Sequence, residues 1–406
     1  MFKRGGYGEK VKYRLGFWPR LKPKSSKIKR VWIQAVSVGE ISSIQHLMQF
    51  FINDPSFEIV LSGTTSTGLS IAKKKYSNDV IAFGPFPLDW YPFSSFCWSR
   101  INPDILICVD SELWPEHMQQ AKKRGVSCFI VNARLSDRSF SRLCILEMFK
   151  NLILPSNLHI FATSQKQRDR WVQVGIPLKR AENMGNLKID IAPLNPLTET
   201  DKAKYKDELG FPESSVILVG ISTWLGEEKF LLETLQMLRD RNIDARLLLI
   251  PRHAERRSEI IKEISSHSFS YQQRTRFDKN NCNAHVYLAD TTGELNQLIQ
   301  SADLAFLGKT LPPRHEGQNP IEPVSIGLPL VIGPRCTNFS EICDELVQKR
   351  AVSQGNSKLE IMNILIELAQ SKKEREKMRK NGLQWRQEQQ SPSRKTFAEI
   401  KQLSVQ

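Results

Sequence analysis

The sequence contains no run of about 18 consecutive apolar residues, the length a membrane-spanning helix requires. Its N-terminus also lacks the apolar core of a secretory signal. Seven cysteines, Cys97, Cys108, Cys128, Cys144, Cys282, Cys336 and Cys343, are odd in number, scattered and never spaced as CxxC. That pattern argues against a disulfide framework and a zinc site and predicts a reducing compartment, the cytosol or a surface facing it. There is no Walker A loop and no G-x-G-x-x-G after the first apolar run. Kinase, ATPase and dinucleotide-dehydrogenase chemistry therefore lose their usual phosphate cradle.

What is present describes a soluble globular chain: 406 residues, 40% hydrophobic and 25% charged. That length predicts two domains of roughly 150 to 200 residues. The net charge of +15 is concentrated at the start, where residues 1–30 hold eleven Lys or Arg against Glu9 alone. The remaining body is only mildly basic, so nucleic acid is not expected as a partner. Phe2, Tyr7, Tyr13, Leu15, Phe17 and Trp18 interleave with these cations. Aromatic and basic residues together predict a 1–30 arm that contacts an anionic membrane surface, each cation contributing roughly 1 kcal/mol there. A solvated tail with a few anchoring aromatics is the plainer alternative.

From residue 31 onward, short apolar runs such as "RVWIQAV", "FEIVLSG", "DILICVD" and "VSCFIVNA" alternate with amphipathic stretches. Ile41, Ile44, Leu47, Met48 and Phe51, for example, recur at helical spacing. Strand and helix alternating in this way predict βα units and parallel sheets. A polar, proline-containing segment interrupts the rhythm before "VILVGIST", "RLLLIPR", "HVYLAD", "LAFLGK" and "PLVIGP" resume it. The expected division is an N-terminal domain over 31–190, a linker over 191–213 and a C-terminal domain over 214–406 that includes the terminal helices. Ligands in such sheets bind beyond the C-terminal ends of the strands, which predicts a cleft.

Small-residue turns cluster at those strand ends: "SVGE", "SGTTSTG", "VGISTWLGEE", "FLGKT" and "EGQNPIEP". Such turns expose main-chain N–H groups at helix starts, which bind phosphate. In "IPRHAERR", Arg252 sits directly after a strand, where a guanidinium can clamp a phosphate in bidentate fashion. Asn319 and Glu322 in "NPIEP" suit either a ribose diol or a helix cap. Glu40 follows "SVG", and Glu112 follows Asp110 and Ser111 in "CVDSELWPE". Each is either a helix-start acid or one of two carboxylates sharing a site, where like charge raises pKa.

Taken in order and spacing, "WIQAVSVGE", "SGTTSTG", "SELWP", "NARLSDRSFSR", "GNLK", "IPRHAER" and "GQNPIEP" followed by "GP…TNF" resemble the 3-deoxy-D-manno-octulosonic acid (Kdo) transferases of glycosyltransferase family 30. The similarity runs over about residues 7–385. It implies an α/β GT-B fold, two Rossmann-like domains with parallel sheets facing a central cleft. It also implies inverting transfer of Kdo from CMP-Kdo to a lipid A precursor at the cytoplasmic face of the bacterial inner membrane. Many members carry a hydrophobic anchor ahead of the equivalent of "YRLGFWPR" and this sequence shows none, so peripheral attachment by the basic arm is expected instead. The single phosphate of CMP-Kdo and the lack of a DxD motif predict no metal, and no cofactor is expected. Motif position gives Glu40 as the general base and Glu112 as a second acid. Donor contacts are implied at Ser222, Thr223, Arg252, Asn186, Lys188, Gly308, Asn319 and Glu322. Acceptor contacts are expected at Ser37, Gly39, Thr64, Thr65, Arg134 and Arg138, with Arg142 beside them. The chain departs from the family pattern at Trp224, where many members carry His, and in the less glycine-rich loop around Lys309. A sugar-nucleotide epimerase or a non-catalytic membrane-associated protein on the same fold is the alternative.

Overall fold

The computed structural model describes residues 11–146, 153–192, 198–277 and 283–405. These form two compact units, one of residues 1–191 with 390–406, the other of residues 192–389. In the first unit the strands are β1 (Lys29–Gln34), β2 (Phe57–Gly63), β3 (Ala82–Pro85), β4 (Ile105–Val109), β5 (Ser127–Ala133), β6 (Leu158–Ala162) and β7 (Ala181–Asn183). They lie in the order β3-β2-β1-β4-β5-β6-β7, every neighbouring pair parallel. The second unit has β8 (Val216–Thr223), β9 (Ala245–Pro251), β10 (Tyr271–Gln273), β11 (Val286–Leu288), β12 (Leu304–Leu307), β13 (Leu330–Ile332) and β14 (Val352–Gln354). Their order is β10-β11-β9-β8-β12-β13-β14, again all parallel.

Alternation along β1 shows why these runs form two-faced strands. Trp32 points into one core with Trp18, Phe86, Trp98 and Leu106, while Val31 and Ile33 point into another with Ile59, Ile105 and Phe129. Helices cover both faces, as a fully buried parallel sheet requires. In the second unit the helix Glu227–Asp240 presses so closely on β8 that a Cβ at Gly220 would lie 2.4 Å from Leu231 Cδ1. In each sheet the connection reverses direction beside the first strand, between β1 and β4 and between β8 and β12. These are the switch points at which α/β sheets open for ligands.

Three boundaries differ from those expected. Residues 11–30, part of the expected arm, pack on the first unit: Trp18 is fully buried and stacks on Tyr13, Arg30 pairs with Glu58 at 2.6 Å, and Lys24 pairs with Asp104 at 2.5 Å. Residues 1–10 lie outside the described residues. The supposed linker carries the helix Glu199–Glu208, closed by a Thr198/Asp201 capping box. Lys202 and Lys206 of that helix both reach Asp303, at 2.7 and 3.1 Å, at the start of β12. The linker region thus belongs to the second unit, tied to it by the buried Lys206 and the half-buried Lys202 through the Asp303 carboxylate.

The last helix, Pro392–Val405, packs on the first unit rather than the second. Its Phe397 meets Phe50, Phe51 and Phe57, Ile400 is fully buried, and Ser393 N–H donates to Asp190 at 2.7 Å. No helix among the described residues is long and apolar enough to cross a membrane. Replacing Ile400 by Ala should cost the first unit about 2–5 kcal/mol, the range for a buried Ile truncation. Denaturant unfolding followed by a probe in that unit reads the loss, and a change below about 0.5 kcal/mol would show that the helix contributes little.

Candidate active site

After β1 the chain makes the turn Val36–Ser37 and enters the helix Val38–Ser43. Ser37 is its N-cap, accepting the Glu40 N–H at 3.4 Å, and its hydroxyl donates to Glu40 Oε1 at 3.0 Å. Glu40 Oε2 reaches back to accept the Val36 N–H at 2.6 Å. The S-x-x-E spacing thus builds a variant of the capping box, with the glutamate bonded one residue before the N-cap. The carbonyl of Val36 accepts from both the N–H and the hydroxyl of Thr65, at 3.1 and 2.9 Å. Thr65 in turn caps the helix Ser66–Tyr76 after β2. Thr64 takes a hydrogen bond from Gln34 at 3.1 Å on its hydroxyl and one from Arg14 at 3.1 Å on its carbonyl.

The ends of β4 and β5 supply the rest of this edge. Asp110 and Asn132 both adopt left-handed backbone, φ 61° and 55°, a conformation that polar residues tolerate best. Asn132 donates to Asp110 Oδ1 at 2.6 Å and accepts the N–H of Leu187, from the "GNLK" turn, at 3.0 Å. Arg134 pairs with Asp110 Oδ2 at 3.2 Å. Burial pushes Glu40 up to about 7; the Asp110 charge adds to the rise, while the Val36 N–H, the Ser37 hydroxyl and Arg134 oppose it. Burial likewise raises Glu112 to about 7, followed by the negative charges of Glu40 and Asp110. Both carboxyl groups are thereby poised to hold or release a proton near neutrality.

In the second unit a different carboxylate organises the corresponding edge. Glu227, in the first turn after β8, accepts four main-chain N–H groups: Trp224 at 2.8 Å, Lys309 at 2.9 Å, Thr310 at 3.1 Å and Leu311 at 3.2 Å. Burial nevertheless raises its pKa. Beside it, buried Glu228 accepts Thr223 Oγ1 at 2.9 Å and Arg256 in bidentate fashion at 2.9 and 3.2 Å. Trp224 carries Lys309 and Arg314 over its ring at 4.7 and 4.8 Å and meets the edge of His253 at 5.0 Å. The two departures from the family pattern thus pack on each other, ring against cations.

Most residues singled out from the sequence do fall at these two strand-end edges. Ser37, Glu40, Thr64, Thr65, Glu112 and Arg134 gather on the first, whereas Gly39 and Arg138 are exposed on its helix starts. Asn186 turns inward on its own loop, accepting the Lys188 N–H at 3.0 Å, with Lys188 opening the helix Lys188–Ile191. On the second edge, Ser222 has φ 52° and Arg252 is exposed, its N–H bonded to Thr223 O. Thr223 is fully buried and Gly308 lies where a Cβ would stand 2.3 Å from Ser222 O, so both brace the loops. Asn319 has the geometry of a cap: it accepts the Ile321 N–H at 3.1 Å and donates to Glu322 at 2.9 Å. Sequence reasoning passed over Asp110 as a site residue and also Asn132, Glu227 and Glu228. Their only signal is a polar residue placed where an apolar strand ends.

Comparison with known proteins adds to this geometry. Residues 9–191 match the family profile described as 3-deoxy-D-manno-octulosonic-acid transferase (kdotransferase). Over 353 residues the chain is 29% identical to the 3-deoxy-D-manno-octulosonic acid transferase of Haemophilus influenzae, covering 86% of this chain and 81% of that one. The chain is a sequence relative of the Kdo transferases. The transferase of Chlamydophila psittaci is 26% identical over 355 residues, 86% of this chain and 79% of that one. A bifunctional glycosyltransferase/methyltransferase of Fusobacterium nucleatum is 28% identical over 323 residues, and the match covers 79% of this chain but only 49% of that protein. Among solved structures, HepE of Anabaena in complex with UDP aligns with a TM-score of 0.62 at 13% identity, over 93% of this chain and 100% of that one. UDP-GlcNAc 2-epimerase from Neisseria meningitidis aligns at 0.61 and 12% identity, over 93% and 99%. At such identities the likeness is one of fold, and the fold is the two-domain GT-B architecture.

The two carboxylate systems separate in experiment. Asp110→Asn removes a negative charge that raises Glu40, so the Glu40 titration midpoint should fall below about 7. Carbon-13 NMR of labelled glutamates follows it, and an unmoved midpoint would show that Glu40 does not feel Asp110. Glu227→Ala strands four N–H groups, two of them buried, and should destabilise the second unit by about 2–3 kcal/mol or more. Thermal unfolding that stays unchanged would remove Glu227 from its bracing role.

Proposed function

We propose that this protein is an inverting glycosyltransferase that moves Kdo from CMP-Kdo to a hydroxyl of a lipid A precursor in lipopolysaccharide biosynthesis. The observation that carries the reading is Glu40: a carboxyl raised to about 7, fixed to the Val36 N–H, on a domain related to the Kdo transferases. A base of that pKa matches its task near neutral pH better than an ordinary carboxylate. In the reaction, the acceptor hydroxyl attacks the anomeric carbon from the face opposite the phosphate. Its proton passes to Glu40, the new glycosidic C–O bond forms, and the bond to phosphate oxygen breaks. CMP departs with the electron pair.

Burial lifts Glu40 and the Asp110 charge adds to that lift, while Arg134 limits it and orients Asp110; Glu112 is assigned as the second acid of the site. Ser37, Gly39, Thr64, Thr65, Arg134 and Arg138 are assigned to the acceptor side. The donor is assigned to the second unit's strand-end edge, to Ser222, Arg252, Asn319 and Glu322, with Asn186 and Lys188 as further contacts. There the exposed Arg252 guanidinium takes up the charge that develops on the departing phosphate. The protein is placed at the cytoplasmic face of the bacterial inner membrane, held peripherally by its basic N-terminal segment.

Glu40→Gln should abolish transfer from CMP-Kdo to lipid A precursor, by at least about 100-fold in kcat, while CMP-Kdo binding is retained. The native enzyme should show an acidic limb in its kcat/KM profile near pH 7, below which Glu40 is protonated and inactive. Mass spectrometry of the product detects the added Kdo. Full activity in the Gln variant would end the general-base assignment.

A further inference from the structure

A cavity of about 280 Å³ lies in the second unit at the opposite end of its strands from the donor edge. It opens where β8 and β12 begin, at Ser215 and Val216 and at Ala302 and Asp303. Its other walls are the helix Glu199–Glu208, the turn 326–329 and the helix Lys372–Glu388. From Val216 to Thr223, β8 spans about 23 Å at the usual strand rise, which separates the cavity from the turns at Ser222 and Gly308.

The charges in this cavity are sorted by depth. Asp303 accepts Lys202 at 2.7 Å and Lys206 at 3.1 Å, and the three side chains are only 13%, 16% and 8% exposed. Two ammonium groups sharing one carboxylate leave a positive surplus at the floor. Lys372, Arg375 and Arg379 add three cations at i, i+3 and i+7, on one face of their helix. Arg375 is aimed through Nη1, which donates to Leu368 O at 2.6 Å and to Ala369 O at 2.8 Å. Arg379 is positioned by its stem: Gly327, at φ 75°, comes so near that a Cβ there would lie 2.9 Å from Arg379 Cγ. Among the described residues, the charged heads of Lys372 and Arg379 have no hydrogen bond or ion pair. Glu199, Glu213 and Glu376 line the cavity too, but they are exposed at its rim, where water and salt screen them. A half-buried guanidinium without a partner, over a floor of surplus positive charge, is left for the oxygen atoms of an anion to satisfy.

We propose that this cavity is a second ligand site of the second unit, one that takes a small, soluble phosphorylated molecule. Planar guanidinium forks and ammonium point charges together match a phosphate group, whose several oxygens accept from more than one cation at once. The volume falls below the roughly 300–1,000 Å³ of pockets for drug-sized ligands, which favours a compact anion over a nucleotide or a lipid. Lys202 and Lys206 belong to the first described helix of this unit, and Lys372, Arg375 and Arg379 to its last. A bound anion therefore ties both helices to the starts of β8 and β12 and stabilises the unit by mass action. The site is independent of the donor and acceptor assignments, since none of its residues takes part in them.

The test titrates inorganic pyrophosphate into the full chain by calorimetry, in phosphate-free buffer, with and without saturating CMP. Native protein should bind one equivalent in the presence of CMP, and its unfolding temperature should rise as pyrophosphate is added. Lys372→Gln with Arg379→Gln should weaken that binding about tenfold or more. Unfolding of the double variant without ligand should match native protein, because neither charged head holds another part of the chain. Lys372→Gln alone, at an exposed helix start, should weaken binding about threefold and gives the same reading if the double variant is unstable. Equal binding by native protein and the variants overturns the site. So does the absence of binding by native protein up to about 10 mM pyrophosphate, or complete displacement by CMP, which would put the anion at the donor edge.

Discussion

A carboxylate bonded to main-chain N–H, at the turn after the first strand of each sheet, is the interaction on which both strand-end edges depend. In the first unit Glu40 holds the Val36 N–H, and the Val36 carbonyl holds Thr65, so two βα turns are fastened through a single residue. In the second unit Glu227 fastens the turn after β8 to the turn after β12 through four N–H groups. Each carboxylate sits beside the switch point of its sheet. The positions that parallel topology opens for ligands are therefore the ones that need internal bracing.

The same device yields two different groups because the balance of burial and donors differs. Glu227 is almost wholly enclosed, and its hydrogen-bonding capacity is spent on the backbone. Glu40 receives only the Val36 N–H and the Ser37 hydroxyl, and shares its surroundings with Asp110 and Glu112. A helix start would stabilise its charge, but burial and the neighbouring charges outweigh that effect. The balance separates a carboxylate that serves as a strut from one able to exchange a proton.

Much of this was legible in the sequence. Apolar runs long enough to be buried on both faces announced the central strands of both sheets. The strands without such a signal, β7, β10 and β14, are three residues long and lie at sheet edges, where no apolar pattern is required. Small-residue turns marked the ligand edges because close approach demands them. The inward commitment of Thr223 was hidden, since a hydroxyl pointing to solvent and one pointing to a carboxylate share the same sequence, whereas the cap at Asn319 was one of the two readings its spacing offered. The boundaries were misplaced for a related reason. Lys202 and Lys206 read as solvated linker charges until Asp303, a hundred residues later, gives them a buried partner.

The return of the last helix to the first unit has a consequence for biosynthesis. During translation the strands and helices of the first unit emerge early, but Phe397 and Ile400, which close one of its two cores, are made only after the second unit. The nascent first unit must wait, with the face around Phe51 and Phe57 uncovered, while the whole second unit is synthesised. Completion of that core is thereby tied to synthesis of the second unit, and a ribosome that stalls there releases a product whose apolar face is open to chaperones and proteases.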